Sequence, residues 1–210
     1  MKLTDERFKP LHTGEIYYPS EEKMFIKQLH CINLCHRYNR LPSGVIGYAL
    51  RSRLMKKMFA EMGDNCYIEP PFYANFGGKN VHLGNDVYAN FHLTCVDDTH
   101  IYIGDHTMIG PNVTLVTAAH PISPTLREKV YQYNLPVRIG KNCWLGANVT
   151  VLPGVTIGDN TVVGAGSVVT KDLPSNVVAV GVPARVLREI TENDDKFYRK
   201  NKEIPKEFFE

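Results

Sequence analysis

One histidine, His120, stands in a long stretch between two repeating tracts, TAAHPISPTLREKVYQYNLP over residues 117–136. Imidazole gains and loses a proton near neutral pH, so a histidine on such a loop suits general-base work. A lone loop histidine is also an ordinary surface residue, and residue type alone leaves both readings open. Upstream, YANFHLTCVDD offers Asn90, Asp97 and Asp98. Paired carboxylates cap turns or sit in solvent, and they also accept hydrogen bonds from the hydroxyls of a polyol. Toward the C-terminus, Lys171, Arg185 and Arg188 lie near small residues and glycine turns. Small residues admit a ligand close to backbone amides, and guanidinium pairs well with phosphate; the same cations also read as plain surface charge. His82 and His100 are eighteen apart, with His106 near. That spacing admits a three-histidine zinc site, although a repeating backbone stacks like side chains by default. The five cysteines, Cys31, Cys35, Cys66, Cys95 and Cys143, form no CxxC pair and support neither a zinc nor a disulfide framework.

These groups need a scaffold, and the spacing of apolar residues supplies one. From Ile139 an aliphatic residue returns every sixth position, at Leu145, Val151, Ile157, Val163 and Val169. Gly follows at 140, 146, 158 and 164, and Cys143, Val149, Val155, Thr161 and Ser167 each stand four after an aliphatic residue. A six-residue period fits neither a helix face nor an alternating strand, and it is the signature of a hexapeptide β-helix. Each hexapeptide supplies a short strand and a corner, and three make a coil, so residues eighteen apart stack. Gly and Asn at corners tolerate backbone that branched residues resist. One coil cannot bury its own core, so several must stack. An earlier tract runs through Leu83, Ala89 and Cys95, then Ile103, Ile109 and Leu115 after a two-residue slip near Ile101. Residues 65–79 make an irregular opening coil.

Three regions follow: a helical segment over 1–63, a β-helix over 64–190 with the loop 117–136 extruded from it, and a tail over 191–210. Phe25, Leu29, Ile32 and Cys35 recur at helical spacing, as do Ile46, Leu50, Leu54 and Met58. Pro42-Ser43-Gly44 separates the two helices, with Ser43 as a cap. Arg51, Arg53, Lys56 and Lys57 read as the solvated face of the second. The charged, aromatic tail reads as helical, with Pro205 disrupting its end.

The formal net charge is +2 with no long like-charge block, which argues against a nucleic-acid arm. No apolar run reaches membrane-span length, and MKLTDERFKPLHTGE lacks the apolar centre of a signal peptide. With the scattered cysteines, this composition describes a reduced, cytoplasmic protein.

The blocks PPFYANFGGKNVHLGNDVYANFHLTCVDD, IGPNVTLVTAAHP, WLGANVTVLPGVTIGDNTVVGAGSVVTKDLP and VGVPARVLREI together resemble the maltose/galactoside O-acetyltransferase family. TGEIYYPSEEKMF and CHRYNRL extend the likeness toward the N-terminus. Many acyltransferases share the repeat; the pairing of YANF…VDD with the AAHP loop is far narrower. The resemblance implies a left-handed parallel β-helix and a homotrimer with active sites between neighbouring subunits. It implies transfer of an acetyl group from acetyl-CoA to a sugar hydroxyl, usually the primary 6-hydroxyl, with no metal. By position, His120 would be the general base. Asn90 would contact the acceptor and help stabilise the tetrahedral intermediate, and Asp98 would bind the acceptor. Ala147, Ala165, Thr170, Lys171, Arg185 and Arg188 fall on acetyl-CoA-contacting positions, with Trp144 beside them. Direct attack leaves Cys95 and Cys143, at core-facing repeat positions, without a nucleophilic role.

The chain departs from the family pattern at three places. Ala147 stands where galactoside-type members often carry Ser, and Asn75 where they can carry Ser. Tyr18-Pro19-Ser20 stands where an acceptor-contacting Asp is expected nearby. Three rival readings are an acyltransferase acting on serine, an antibiotic or a sugar nucleotide; a metal-dependent β-helix hydratase of the carbonic anhydrase kind; and a non-enzymatic scaffold.

Overall fold

A computed structural model describes residues 6–19 and 22–209, and it shows a parallel β-helix of triangular section. The first face stacks Glu61–Met62, Val81–Leu83, Ile101–Ile103, Val137–Ile139 and Thr156–Ile157. The second stacks Tyr67–Ile68, Tyr88–Ala89, Met108–Ile109, Trp144–Leu145, Val162–Val163 and Val177–Gly181, closed by the antiparallel Ala184–Glu189. The third stacks Phe72–Ala74, Leu93–Val96, Thr114–Val116, Thr150–Val151 and Val168–Val169. The periodic aliphatic side chains all point inward and form one continuous core. The eighteen-residue register holds where the repeat resumes, as Trp144 pairs with Val162 and Thr150 with Val168. Earlier coils are longer: Tyr67 pairs with Tyr88, and Tyr88 with Met108.

Asparagine and glycine divide the work at the corners. Asn112, Asn142, Asn148, Asn160 and Asn176 take φ between 52° and 61°, the left-handed region that asparagine tolerates. The repeat glycines do not. A Cβ at Gly104 would sit 2.7 Å from the Gly140 backbone, so glycine there lets successive coils approach.

Helices α1 (Glu22–Asn39) and α2 (Gly44–Met58) cover the opening coil, but each buries a face that shares only part of the expected one, Cys35 in α1 and Met58 in α2. α1 buries Met24, Cys31, Cys35 and Tyr38 and leaves Phe25 57% exposed. α2 buries Gly47, Arg51, Met55 and Met58 and leaves Ile46 72% exposed. The irregular coil beneath sets this choice: the Tyr38 hydroxyl donates to the Ile68 carbonyl, and the Tyr38 ring meets Phe72 edge-on. Arg51 belongs to no solvated face. It is 5% exposed, donates to the Leu41 and Pro42 carbonyls and lies over the Tyr38 ring. Ser43 occupies the cap position of α2 without a side-chain cap bond.

The stretch 117–136 lacks the repeat yet is regular. Ala118–Ala119 pairs antiparallel with Tyr133–Asn134, and a short helix, α3, spans Pro124–Glu128 between them. The tail is not helical. Phe197–Arg199 and Lys202–Glu203 form a hairpin that turns at Asn201, whose φ of 58° breaks a helix, and a 3-10 turn follows at Lys206–Phe208.

Candidate active site

His120 is exposed on the extruded loop, and its ring is anchored at one end. Nδ1 lies 2.8 Å from the Tyr131 carbonyl oxygen. A carbonyl can only accept, so the hydrogen bond puts the imidazole proton on Nδ1 and leaves the Nε2 lone pair outward. That tautomer is the one a proton acceptor needs. The carbonyl is itself fixed, because the next residue, Gln132, donates its N–H to Tyr17 O and accepts from Tyr17 N–H.

Beside this anchor lies a cavity of about 410 Å³ whose wall includes Tyr17, Pro19, Phe25, Asn75, Asp98 and Gln132. Tyr17, Met24 and Phe76 of that wall pack with Phe8 and Leu11. The neighbouring aspartates have separate tasks. Asp97 is fully buried and accepts the N–H groups of Phe76 (2.6 Å) and Gly78 (3.0 Å), holding the turn after Asn75. Burial pushes its carboxyl up to about 7; backbone hydrogen bonds from Phe76, Asn80 and Gly78 oppose the rise, and the adjacent Asp98 adds to it. Asp98 opens on the cavity, with Oδ2 accepting from Asn75 Nδ2 (2.8 Å) and Oδ1 from Gln132 Nε2 (3.1 Å). Pro19 is in the cavity wall, Tyr18 is exposed, and Ser20 lies outside the described residues.

A second group lines the edge between the second and third faces. Asn90 lies at this corner; its Oδ1 accepts the Phe91 N–H, which turns Nδ2 outward as a donor. Ala147 and Ala165 follow along the same edge, and Gly166 N–H donates to Ala147 O between their coils. Neither alanine N–H finds an acceptor among the described residues. The coil below carries Pro111 at that level, with no N–H at all. Trp144, 54% exposed, stands between Met108 and Val162 in register, in a surface column that continues to Tyr88 and Tyr67.

The cations are spread over two places. Thr170 and Lys171 lie exposed at the corner that follows the third face, the edge that also carries Asp98 and the root of the loop. Arg185 and Arg188 are on the closing antiparallel strand of the second face. Arg188 is paired at the surface: its guanidinium holds the Asp194 carboxylate with bonds of 2.7 and 2.8 Å, which keeps that carboxyl down at about 2.

The matches to known proteins cover nearly the whole chain. Residues 136–171 match the model of the hexapeptide repeat of succinyl-transferase, and residues 11–63 match the maltose acetyltransferase hexapeptide capping motif. The chain is 53% identical over 199 residues to a galactoside O-acetyltransferase of Lactococcus lactis, spanning 95% of each sequence. The chain belongs to the maltose/galactoside O-acetyltransferase family. Two solved structures from that family superpose closely. A galactoside acetyltransferase in complex with coenzyme A gives a TM-score of 0.88 at 44% identity, covering 98% of this chain and 99% of the other. A maltose O-acetyltransferase from Clostridium difficile gives 0.84 at 38%, covering 88% and 97%.

In this maltose/galactoside O-acetyltransferase family member, Asn75, Asp98 and the root of the His120 loop come together. Asn90, Ala147, Ala165 and Trp144 gather elsewhere, so the single chain leaves His120 and Asn90 at opposite edges of the third face. The histidines eighteen apart do meet, with His82 Nε2 2.9 Å from His100 Nδ1, while His12 stacks on His100 at 4.6 Å. Burial, together with the neighbouring His12, His82 and Arg138, pushes His100 down to about 4. His106 sits instead near Asp86, and among the described residues no group of three or more such side chains could hold a metal ion. All five cysteines are free and buried. Sequence reading did not find Gln132, Asn134 or Tyr17. For Gln132 and Asn134 the one signal was the alternation in YQYN, which marks a strand inside the loop.

Proposed function

We propose that this protein moves an acetyl group from acetyl-CoA to a hydroxyl, the primary 6-hydroxyl, of a sugar such as maltose, glucose or a galactoside. The observation that carries the reading is the anchored imidazole: Nδ1 is spent on the Tyr131 carbonyl, which leaves Nε2 free to accept a proton, and the next residue of that anchor, Gln132, lines a cavity with Asp98. His120 Nε2 takes the hydroxyl proton as that oxygen attacks the thioester carbonyl. The C–S bond then breaks, and the departing sulfur recovers the proton from the imidazolium. Asn90 Nδ2 and the unpaired N–H of Ala147 offer donors for the negative charge that develops on the carbonyl oxygen. The Ala147 N–H makes this contribution without the hydroxyl that Ser would supply. Asp98 and Asn75 hold the acceptor. Trp144, Ala147, Ala165, Thr170, Lys171, Arg185 and Arg188 serve acetyl-CoA, the small residues at its chain and the cations at its phosphates. No metal takes part.

His120 and Asn90 on opposite edges of one face support a homotrimer in which the loop of one subunit completes the site of the next. The exposed column of Tyr88, Met108 and Trp144 supplies apolar surface for that contact. Light scattering that found an active monomer would remove this part. We place the protein in the cytoplasm, with its buried free thiols as support. We divide it into a capping segment over 1–63, a transferase β-helix over 64–190 and a tail. Pro19 in the cavity wall, where an acceptor-binding Asp was expected, favours one alternative: a different acceptor such as serine, an antibiotic or a sugar nucleotide. Turnover of acetyl-CoA against mono- and disaccharides and these alternatives, with the acetyl group then located by NMR, separates the two. A 6-O-acetyl sugar is the expected product; a preference for a non-sugar acceptor would overturn the reading.

A further inference from the structure

Gln132 connects the base to the acceptor carboxylate. Its peptide unit is used on both sides: the Tyr131 carbonyl accepts from His120 Nδ1 at 2.8 Å, and the Gln132 N–H donates to Tyr17 O at 3.0 Å. Its side chain is 8% exposed and lies in the cavity wall. Nε2 reaches Asp98 Oδ1 at 3.1 Å, Asn134 Oδ1 at 2.8 Å and the Tyr17 hydroxyl at 2.8 Å, three acceptors for two protons. Asn134 Nδ2 in turn donates to the Tyr17 hydroxyl and to Leu11 O, which ties the network to the N-terminal segment. Asp98 receives its other bond from Asn75, so the two amides grip one oxygen each.

We infer that Gln132 is a positioning residue for acceptor recognition, fixing Asp98 from the same loop that carries His120. The inference rests on the proposed sugar O-acetyl transfer. A carboxylate held through both oxygens has one orientation to offer a hydroxyl. Without Gln132 it keeps only the Asn75 bond and can rotate away. The loop also loses its side-chain tie to the coil, while the backbone pairing with Tyr17 remains. Of the proposed acetyl-CoA residues, Trp144, Ala147, Ala165, Arg185 and Arg188 lie away from this edge, and the Gln132 side-chain bonds run to Asp98, Asn134 and Tyr17, not to Thr170 or Lys171.

The test compares wild type with Gln132→Leu and Gln132→Glu, using acetyl-CoA and methyl β-galactoside as substrates. A hydrogen bond to a charged group corresponds to about 10- to 100-fold. Gln132→Leu should therefore raise the acceptor KM about tenfold or more and leave the acetyl-CoA KM within about twofold. Gln132→Glu keeps the size of the side chain and places a second carboxyl against Asp98, with Tyr17 facing both, Glu22 in the same wall and Asp97 adjoining. Protonated, that carboxyl can donate to Asp98; ionised, it repels it. The ratio of Gln132→Glu to wild-type kcat/KM for the acceptor should climb as pH falls from about 8 to about 5.5. Should Gln132→Leu fail to fold, the Glu variant carries the test alone. An unchanged acceptor KM in folded Gln132→Leu, or a pH-flat ratio for Gln132→Glu, would overturn the inference while wild-type turnover upholds the function. Wild type unable to acetylate any sugar would sink the function itself and this role with it.

Discussion

Replacing Asp97 by asparagine should change how stability follows pH. The Asp97 carboxyl is fully buried and titrates near 7 in the fold, against an ordinary value of 3.8. Between those two pH values the folded chain keeps a proton that the unfolded chain has released. More protons bound in the folded state means that stability falls as pH rises through this window, then levels off above it. At roughly 1.4 kcal/mol per pH unit, full ionisation costs the fold on the order of 4 kcal/mol. His100 works the other way. Its folded value, about 4, lies below 6.5, so the unfolded chain binds more protons between them and stability rises with pH there. Wild type shows the two trends opposed. Asp97→Asn cannot ionise and leaves only the rising one, with a constant offset because its NH₂ faces one of the N–H groups of Phe76 and Gly78. Thermal and urea unfolding followed by circular dichroism at pH 5, 6, 7 and 8 would measure this. The variant should gain on wild type steadily from pH 5 to 7 and hold that gain at pH 8. Parallel curves over the whole range would refute the reasoning, because they would mean that Asp97 does not titrate in the window.

Asn90→Ala should lower kcat, since its Nδ2 donor is placed for charge that develops only as the intermediate forms; a change confined to acceptor KM would make Asn90 a binding residue alone. Arg185→Ala or Lys171→Ala should raise the acetyl-CoA KM by about three- to tenfold with little loss of saturated kcat, an effect that shrinks in high salt. If one of these cations meets the 3′-phosphate, its variant should barely distinguish the dephospho-CoA thioester from acetyl-CoA; wild-type discrimination in both variants would reduce them to surface charge.

The β-helix was legible because a solenoid repeats its burial pattern every turn: Leu145, Val151, Ile157 and Val163 face the same core for the same reason. The loop that carries His120 was legible because it interrupted that pattern. The helical faces of α1 and α2 were not. Each packs on one irregular coil, so Tyr38 and Arg51 were placed by individual carbonyls and rings and not by an apolar stripe. Gln132 and Asp98 stand thirty-four positions apart, and neither type nor period announces their bond. The tail turned at Asn201, where one residue in the left-handed region outweighed the helix-forming residues around it.

The central claim is that His120 Nε2 removes the proton from a sugar hydroxyl. The most direct measurement is the rate of CoA release from saturating acetyl-CoA and methyl β-galactoside by His120→Ala, with acetyl-CoA binding checked by calorimetry. General-base catalysis contributes about 10²–10⁴-fold, so kcat should fall by that factor while acetyl-CoA affinity and melting temperature stay near wild type. A folded His120→Ala that binds acetyl-CoA and turns over sugar at nearly the wild-type kcat would contradict the account.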